Sequence, residues 1–346
     1  MEKGNQVLIK QAKLMASNPS ERTICARLMN DRFALCLPRE EFDEKRVADS
    51  IKELQREFSG NSFHLHTYMG VYEIRDRAEA VSIMVDKANI AADTIKNNYD
   101  CCVAYYDEHL LEISIEQRRL LGEFEPALQN DEFVMYLQPQ VKRDGAAKGA
   151  EALVRWVHPS RGILTPYAFI DILENAGLIY KLDLYIWEKA AQKLAEWKEK
   201  GYGSYHISVN ISTKDFYIID IYETFTGLIN KYGIAASNLH LEITETTLMT
   251  DFEKNMNIIH KLQGVGFRVE IDDFGSGYSS LNMLKDISAD VLKIDMGFLR
   301  KSENEVKGQD ILESIITLAG KIGMDVITEG VETKKQLDML TMMGCH

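Results

Sequence analysis

"LHLEIT", residues 239–244, sets Leu239, Leu241 and Ile243 on one face of a strand and His240, Glu242 and Thr244 on the other. Four further runs behave alike: "HISVN" (206–210), "RVEIDD" (268–273), "DVLKID" (290–295) and "DVITEG" (325–330). Each ends in polar or charged residues, and most continue into a helical pattern. Strand followed by helix, repeated this often, predicts a parallel sheet. The stretch 131–346, about 215 residues, suits an α/β fold of the TIM-like (β/α)8 barrel type, in which functional groups gather at the C-terminal strand ends. The same alternation sets Asn210 apart from Val209, Asp272 from Ile271, Lys293 from Leu292 and Glu329 from Thr328. One face packs on helices and the other faces the lumen, so Asn210, Glu242, Asp272, Lys293 and Glu329 converge.

Carboxylates sharing a small mouth repel one another and shift toward neutrality unless cations hold them. Acids with an amide oxygen, and no clustered His or Cys, form a hard-oxygen set that suits Mg²⁺ or Mn²⁺ better than Zn²⁺ or iron. Asp272 and Asp273 are consecutive at a strand end where alternation breaks down, so one can bridge two ions while the other binds a single ion. Two ions about 3.5 to 4 Å apart are an arrangement used to cleave phosphodiesters. A single strand-end acid is more often a cap or a surface charge; it is the set that carries weight.

The rest of the chain narrows the class. With 346 residues, 45% hydrophobic, it can bury two cores, and a net charge of −13 argues against binding a DNA or RNA polymer. The five cysteines show no metal spacing and read as reduced thiols in a cytoplasm, with Cys101 and Cys102 as strand residues. No apolar run approaches the roughly 20 residues needed to cross a bilayer, although a membrane sensor could precede this segment in a longer parent. No two of the eight histidines, His158 and His240 among them, have local metal-ligand spacing. Trp156 and Trp187 read as core aromatics. In "KLDLYIWEKAAQKLAEWKEK" (181–200), Trp187, Ala190, Leu194 and Trp197 share one helical face, and Gly201 supplies the stop.

Six motifs then agree in order and spacing. "EALVRW" (151–156), "VNIS" (209–212), "EITE" (242–245), "DDFGSGYSSL" (272–281), "KID" (293–295) and "EGVE" (329–332) resemble the EAL-domain cyclic di-GMP phosphodiesterases across nearly all of 131–346. The resemblance implies that Glu151, Asn210, Glu242 and Asp272 hold one metal, with Asp272, Asp273 and Glu329 on or near a second. Lys293 would orient or help deprotonate the attacking water, beside Asp295. Arg155 would pair with a substrate phosphate, where a guanidinium offers two N–H groups to two oxygens. Glu332 would position substrate. Glu245 would anchor the loop after the paired acids, which in this family couples the metal site to a homodimer interface.

The first region, 1–110, reads as mixed helix and strand, with a strand across "FHLHTYMGVYE" (63–73) and a linking helix over 111–130. "ARLMNDRFALCLP" (26–38) resembles the signature segment of GGDEF diguanylate cyclases, with "MNDRF" (29–33) in place of Gly-Gly-Asp-Glu-Phe. The resemblance implies a degenerate and partial α+β domain. Met29 and Asn30 replace glycines that allow close approach to phosphates, and Arg32 replaces an acidic ligand, so cyclase chemistry is not expected. GTP remains a candidate regulatory partner there.

Two departures concern the second domain. Glu270 shares parity with Asp272 and adds an acid inside the barrel where the family has a small or apolar residue. The sequence ends at "GCH", before the family's last strand. The expected function is hydrolysis of cyclic di-GMP to linear pGpG with two Mg²⁺ or Mn²⁺ ions. The alternatives are a cyclic di-GMP receptor without turnover, or a metal-dependent lyase or enolising barrel.

Overall fold

A computed structural model describes residues 2–16, 20–59, 65–96, 98, 101–274, 287–295 and 305–345. The chain divides into two compact units, Met1–Arg119 and Leu120–His346, and the division falls within helix α4 (Glu108–Gln129). The first unit contains α1 (Glu2–Ala16), β1 (Ile24–Arg27), β2 (Phe33–Cys36), α2 (Glu44–Phe58), β3 (Met69–Val71), α3 (Val81–Asp93) and β4 (Val103–Tyr105).

β1 and β2 form an antiparallel hairpin closed at Arg27 and Phe33. Its turn carries the "MNDRF" segment. Leu28 N–H donates to Arg32 O at 2.8 Å, and Asn30 takes a left-handed φ of 60°. Asn tolerates that region better than most residues, so the turn survives the loss of its glycine. The strand expected over 63–73 is shorter than the pattern suggests. Among the described residues of that stretch Met69–Val71 alone pairs, in parallel with Val103–Tyr105; residues 65–68 carry no regular structure, and 63 and 64 lie outside the described residues. Cys101 and Cys102 precede β4 rather than lying in it, although Cys102 O accepts a hydrogen bond from Met69 N–H at 2.8 Å.

The second unit is a curled mixed sheet of the TIM-like type. Its strands are β5 (Phe133–Val141), β6 (Ala147–His158), β7 (Gly162–Leu164), β8 (His206–Ile211), β9 (Leu239–Thr244), β10 (Arg268–Phe274), β11 (Val291–Asp295) and β12 (Asp325–Glu329). The spatial order is β12-β11-β10-β9-β8-β6-β5, with β7 paired to β6. From β6 through β12 every neighbouring pair along this path is parallel. β5 and β7 depart from the parallel expectation, because each runs antiparallel to β6. The connections 142–146 and 159–161 are far shorter than the dozen or so residues a parallel crossover needs, so only hairpins are possible there.

Helices α5 (Ile170–Ala176), α6 (Ile179–Glu199), α7 (Asp215–Ile218), α8 (Ile221–Tyr232), α9 (Glu245–Thr250), α10 (Phe252–Val265), α11 (Glu305–Lys321) and α12 (Lys334–Met342) join the strands. The outward strand face is the core: Leu239, Leu241, Ile243, Ile207, Val209, Ile271 and Leu292 are each 0% exposed. Each such side chain contributes about 1.5–3 kcal/mol on burial. On α6, Trp187, Ala190 and Leu194 are buried and Trp197 is half-buried, as the helical spacing requires. Gly201 follows the helix with φ 84°, a conformation that ends it without a Cβ penalty. Trp187 packs on Phe225 at 4.5 Å between centroids, and Trp156 packs on Phe133 at 4.7 Å.

Gly149 marks a close approach on the other, lumen face. It pairs with His206 across β6 and β8, and a Cβ built there would come within 2.4 Å of the His206 ring. That ring is itself stacked and buried, so it cannot yield freely. Gly149→Ala should therefore lower stability by roughly 1–3 kcal/mol, read as a shifted urea midpoint. An unchanged midpoint would mean that the lumen has slack.

Candidate functional site

β9 ends at Thr244, whose hydroxyl caps the following helix α9 by accepting from Thr247 N–H at 3.3 Å. The turn from strand to helix is thus immediate, and Glu242 sits in the last part of the strand, facing the lumen. Alternation puts Asn210, Asp272, Lys293 and Glu329 on the same face at staggered positions: Asn210 pairs with Glu242, Asp272 with Thr244, and Lys293 with Ile327, two residues before Asp295 meets Glu329. Glu151 comes from β6, where Gln138 of β5 lies opposite.

Lys293 stands at the centre. Its Nζ lies 3.0 Å from Glu151 Oε2, 3.0 Å from Glu242 Oε2, 3.2 Å from Asp272 Oδ1 and 2.7 Å from Glu329 Oε1. The ammonium is 1% exposed. Burial alone would pull its pKa down, but Glu242, Glu151, Asp272 and Glu329 outweigh that and hold it above its ordinary value. Burial pushes the Glu242 carboxyl well up, with Lys293 opposing, and pushes Glu329 up in the same way. The cluster is short of positive charge.

Asn210 Nδ2 donates to Glu151 Oε1 at 3.2 Å, which leaves the amide oxygen available as a ligand. The Asn210 backbone is fixed from the core side, where Trp187 Nε1 donates to its carbonyl at 2.9 Å. A core aromatic thereby sets the position of a candidate ligand.

The paired acids share the mouth through a bulge. Between Ile271 and Phe274, β10 spends one residue more than β11, and Asp273 takes a left-handed φ of 55°. Strict alternation would have turned Asp273 toward the helices, beside Ile271. The extra residue keeps Phe274 in the core, 4% exposed, and leaves Asp273 at the rim. Partial burial, then the charge of Asp272, push the Asp273 carboxyl up.

The remaining expected residues are peripheral. Arg155 lies over the Tyr136 ring at 5.7 Å from its centroid and donates to Val154 O at 2.8 Å. Asp295 ends β11. Glu332 precedes α12, its N–H donating to Gln336 Oε1 at 2.9 Å. Glu245 opens α9, while the loop it is expected to anchor, 275–286, lies outside the described residues.

Below the acids lies a layer that sequence reasoning did not assemble: Gln140, His206, Ser208, His240 and Glu270. Among the described residues, His206, His240 and Glu270 are the His, Cys, Asp or Glu side chains whose ligand atoms sit close enough for one ion, within 4.8 Å of one another. The four mouth carboxylates are instead spread around Lys293. They still fit a divalent cation: all are hard oxygens aimed at one point, and Glu242 Oε1 is buried with no hydrogen-bond partner.

Residues 122–346 match the family described as EAL domain. The chain belongs to the EAL-domain family. Residues 1–100 match the family described as diguanylate cyclase, GGDEF domain. Over 348 residues the chain is 29% identical to the bifunctional diguanylate cyclase/cyclic di-GMP phosphodiesterase MucR of Pseudomonas aeruginosa, covering 99% of this chain and 51% of that protein. It is 27% identical over 350 residues to the cyclic di-GMP phosphodiesterase NbdA of the same organism, covering 100% of this chain and 45% of NbdA. The chain thus spans about half the length of these curated relatives. A solved structure of the PaMucR phosphodiesterase with c-di-GMP superposes with TM-score 0.63 at 34% identity, covering 66% of this chain and 93% of that one. EAL domains are generally divalent-metal dependent. No described helix is long and apolar enough to cross a membrane.

Lys293→Met leaves the carboxylates without a counter-charge. In chelator the variant should lose about 3–5 kcal/mol of stability, and Mn²⁺ should restore most of it. A melting temperature equally depressed with and without Mn²⁺ would contradict the assignment of this cluster as a cation site.

Proposed function

We propose that this EAL domain hydrolyses cyclic di-GMP to linear pGpG with two Mg²⁺ or Mn²⁺ ions. The observation that carries the reading is the gathering of Glu151, Glu242, Asp272 and Glu329 around Lys293 at the strand ends. Glu151, Asn210, Glu242 and Asp272 would hold one ion, and Asp272, Asp273 and Glu329 the other. When bound, such ions supply Lewis-acid stabilisation of phosphoryl charge and a more acidic water.

The chain's own groups do the rest. With ions held by those carboxylates, Lys293 would yield its central place and orient the attacking water as an ammonium donor. The upward push on its pKa comes from those carboxylates, and it would weaken where they held cations, bringing proton transfer nearer to feasible. Asp295 lies at the same strand end and joins that water network. Arg155, held above Tyr136, pairs with a non-bridging phosphate pair. Glu332 would help position substrate, and Glu245 would anchor the loop that follows the paired acids and couples to a homodimer partner. A cytoplasmic setting and a regulatory rather than synthetic role for the GGDEF-type region, with GTP as its ligand, complete the proposal.

The test is chromatographic detection of pGpG from cyclic di-GMP with Mn²⁺ or Mg²⁺. Glu151→Gln should lose metal occupancy and turnover together. Lys293→Met should lose roughly 10²-fold or more in turnover while retaining cyclic di-GMP binding. Wild-type turnover in Lys293→Met, or cyclic di-GMP left intact by the parent chain at saturating Mn²⁺, would overturn the reading.

A further inference from the structure

The buried layer beneath the acids is a chain of hydrogen bonds with one direction. His206 Nε2 donates to Gln140 Oε1 at 2.7 Å, and Gln140 Nε2 donates to Ser208 Oγ at 3.4 Å. Ser208 Oγ donates in turn to Glu270 Oε1 at 3.2 Å, and His240 Nδ1 donates to that same oxygen at 2.6 Å. Every donor leads to Glu270. A carboxylate is the acceptor that such a convergence suits, since charge-assisted bonds offset the cost of burying it.

The other Glu270 oxygen, Oε2, and Glu242 Oε1 are buried and take no donor from that network, and the Glu242 and Glu270 carboxyls lie within hydrogen-bonding reach of each other. Both residues are 0% exposed, and they stand directly opposite in the β9–β10 register, on the lumen face. Glu270 therefore presents fixed negative charge to the underside of a candidate ligand.

A metal ion held by His206, His240 and Glu270 fits this layer poorly. The two imidazoles are stacked, 3.8 Å between centroids and 3° between planes. Their nitrogen lone pairs lie in parallel planes, so one ion cannot sit in both. The nitrogens nearest the layer's acceptors are also spent as donors.

We propose that Glu270 is a positioning residue for Glu242, and that its charge, fixed by the His240 and Ser208 donors, strengthens the grip of the Glu242 site on a divalent cation. The inference rests on the functional reading above. Carboxylates just outside a ligand set tune ligand basicity and orientation, and their loss costs about 10–100-fold in metal affinity. Glu270 also lies diagonal to Lys293 across β10 and β11, where it pairs with Val291. It would offer the ammonium a counter-charge if a cation took the ammonium's place among the mouth carboxylates.

Calorimetric titration with Mn²⁺ alone, well below the melting temperature, tests this on the whole chain. Glu270→Gln keeps shape and an acceptor for His240 but removes the charge, and should bind Mn²⁺ about tenfold more weakly. His240→Phe keeps the stack and removes the donor, so it should weaken Mn²⁺ binding in the same direction. His240→Asn restores an N–H near the Nδ1 position and should recover most of the affinity. If Glu270→Gln does not fold, the two His240 variants carry the test. A merely structural layer would lower melting temperatures and leave the Mn²⁺ affinity of folded protein unchanged, which would overturn the proposal while leaving the metal site intact. A parent chain that binds no Mn²⁺ would overturn both readings. So would a tightly held Zn²⁺, counted by mass spectrometry and lost in His206→Ala, overturn the positioning role, because the layer would then be a metal centre.

Discussion

One buried ammonium holds the lumen of the second unit together. Four carboxylates meet around Lys293, and no arrangement of that many anions in a nearly closed space is tolerable without positive charge among them. A single lysine is an incomplete answer. Burial is the first cause of the upward shifts at Glu242 and Glu329, Lys293 opposes it, and divalent cations are a species that would offset the remaining negative charge. The proposed function answers an electrostatic demand that the fold creates.

The fold creates it through strand parity. Because Leu239, Leu241 and Ile243 must face the helices, Glu242 must face the lumen; a register slip of one residue would bury the acid in the core. Trp187 ties the same constraint to Asn210 through its carbonyl. At Asp273 the parity rule is broken on purpose. A left-handed residue and an extra position in β10 give the rim a second acid and still return Phe274 to the core. Strain of this kind, on the order of 1–2 kcal/mol, is tolerated where a site gains from it.

Much of this was legible in the sequence, because Asn210, Glu242, Asp272 and Glu329 lie at or near the ends of strands whose apolar half announces their orientation, whereas Glu151, inside β6, was marked only by the family resemblance. The five strands from 206 onward, their parallel pairing, the convergence of Asn210, Glu242, Asp272, Lys293 and Glu329, and the core face of α6 all follow from local periodicity. What periodicity cannot see is pairing between distant residues. The antiparallel course of β5 and β7 was hidden in connection length, not in the strands themselves. The strand expected over 63–73 finds a partner, among its described residues, at three positions, Met69–Val71. The layer of Gln140, His206, Ser208, His240 and Glu270 draws on three parallel strands and one antiparallel one. No local spacing joins His206 to His240, so the histidines read as isolated. Glu270 alone gave a signal, by sharing the parity of Asp272.

The most direct test of the account is anomalous diffraction at the manganese edge from crystals grown with Mn²⁺. The account predicts manganese bounded by oxygens of Glu151, Asn210, Glu242 and Asp272 at about 2.1 Å, with Lys293 withdrawn from the centre of the four carboxylates. Lys293 still bridging all four of them, with no anomalous density in their midst at saturating Mn²⁺, would contradict it.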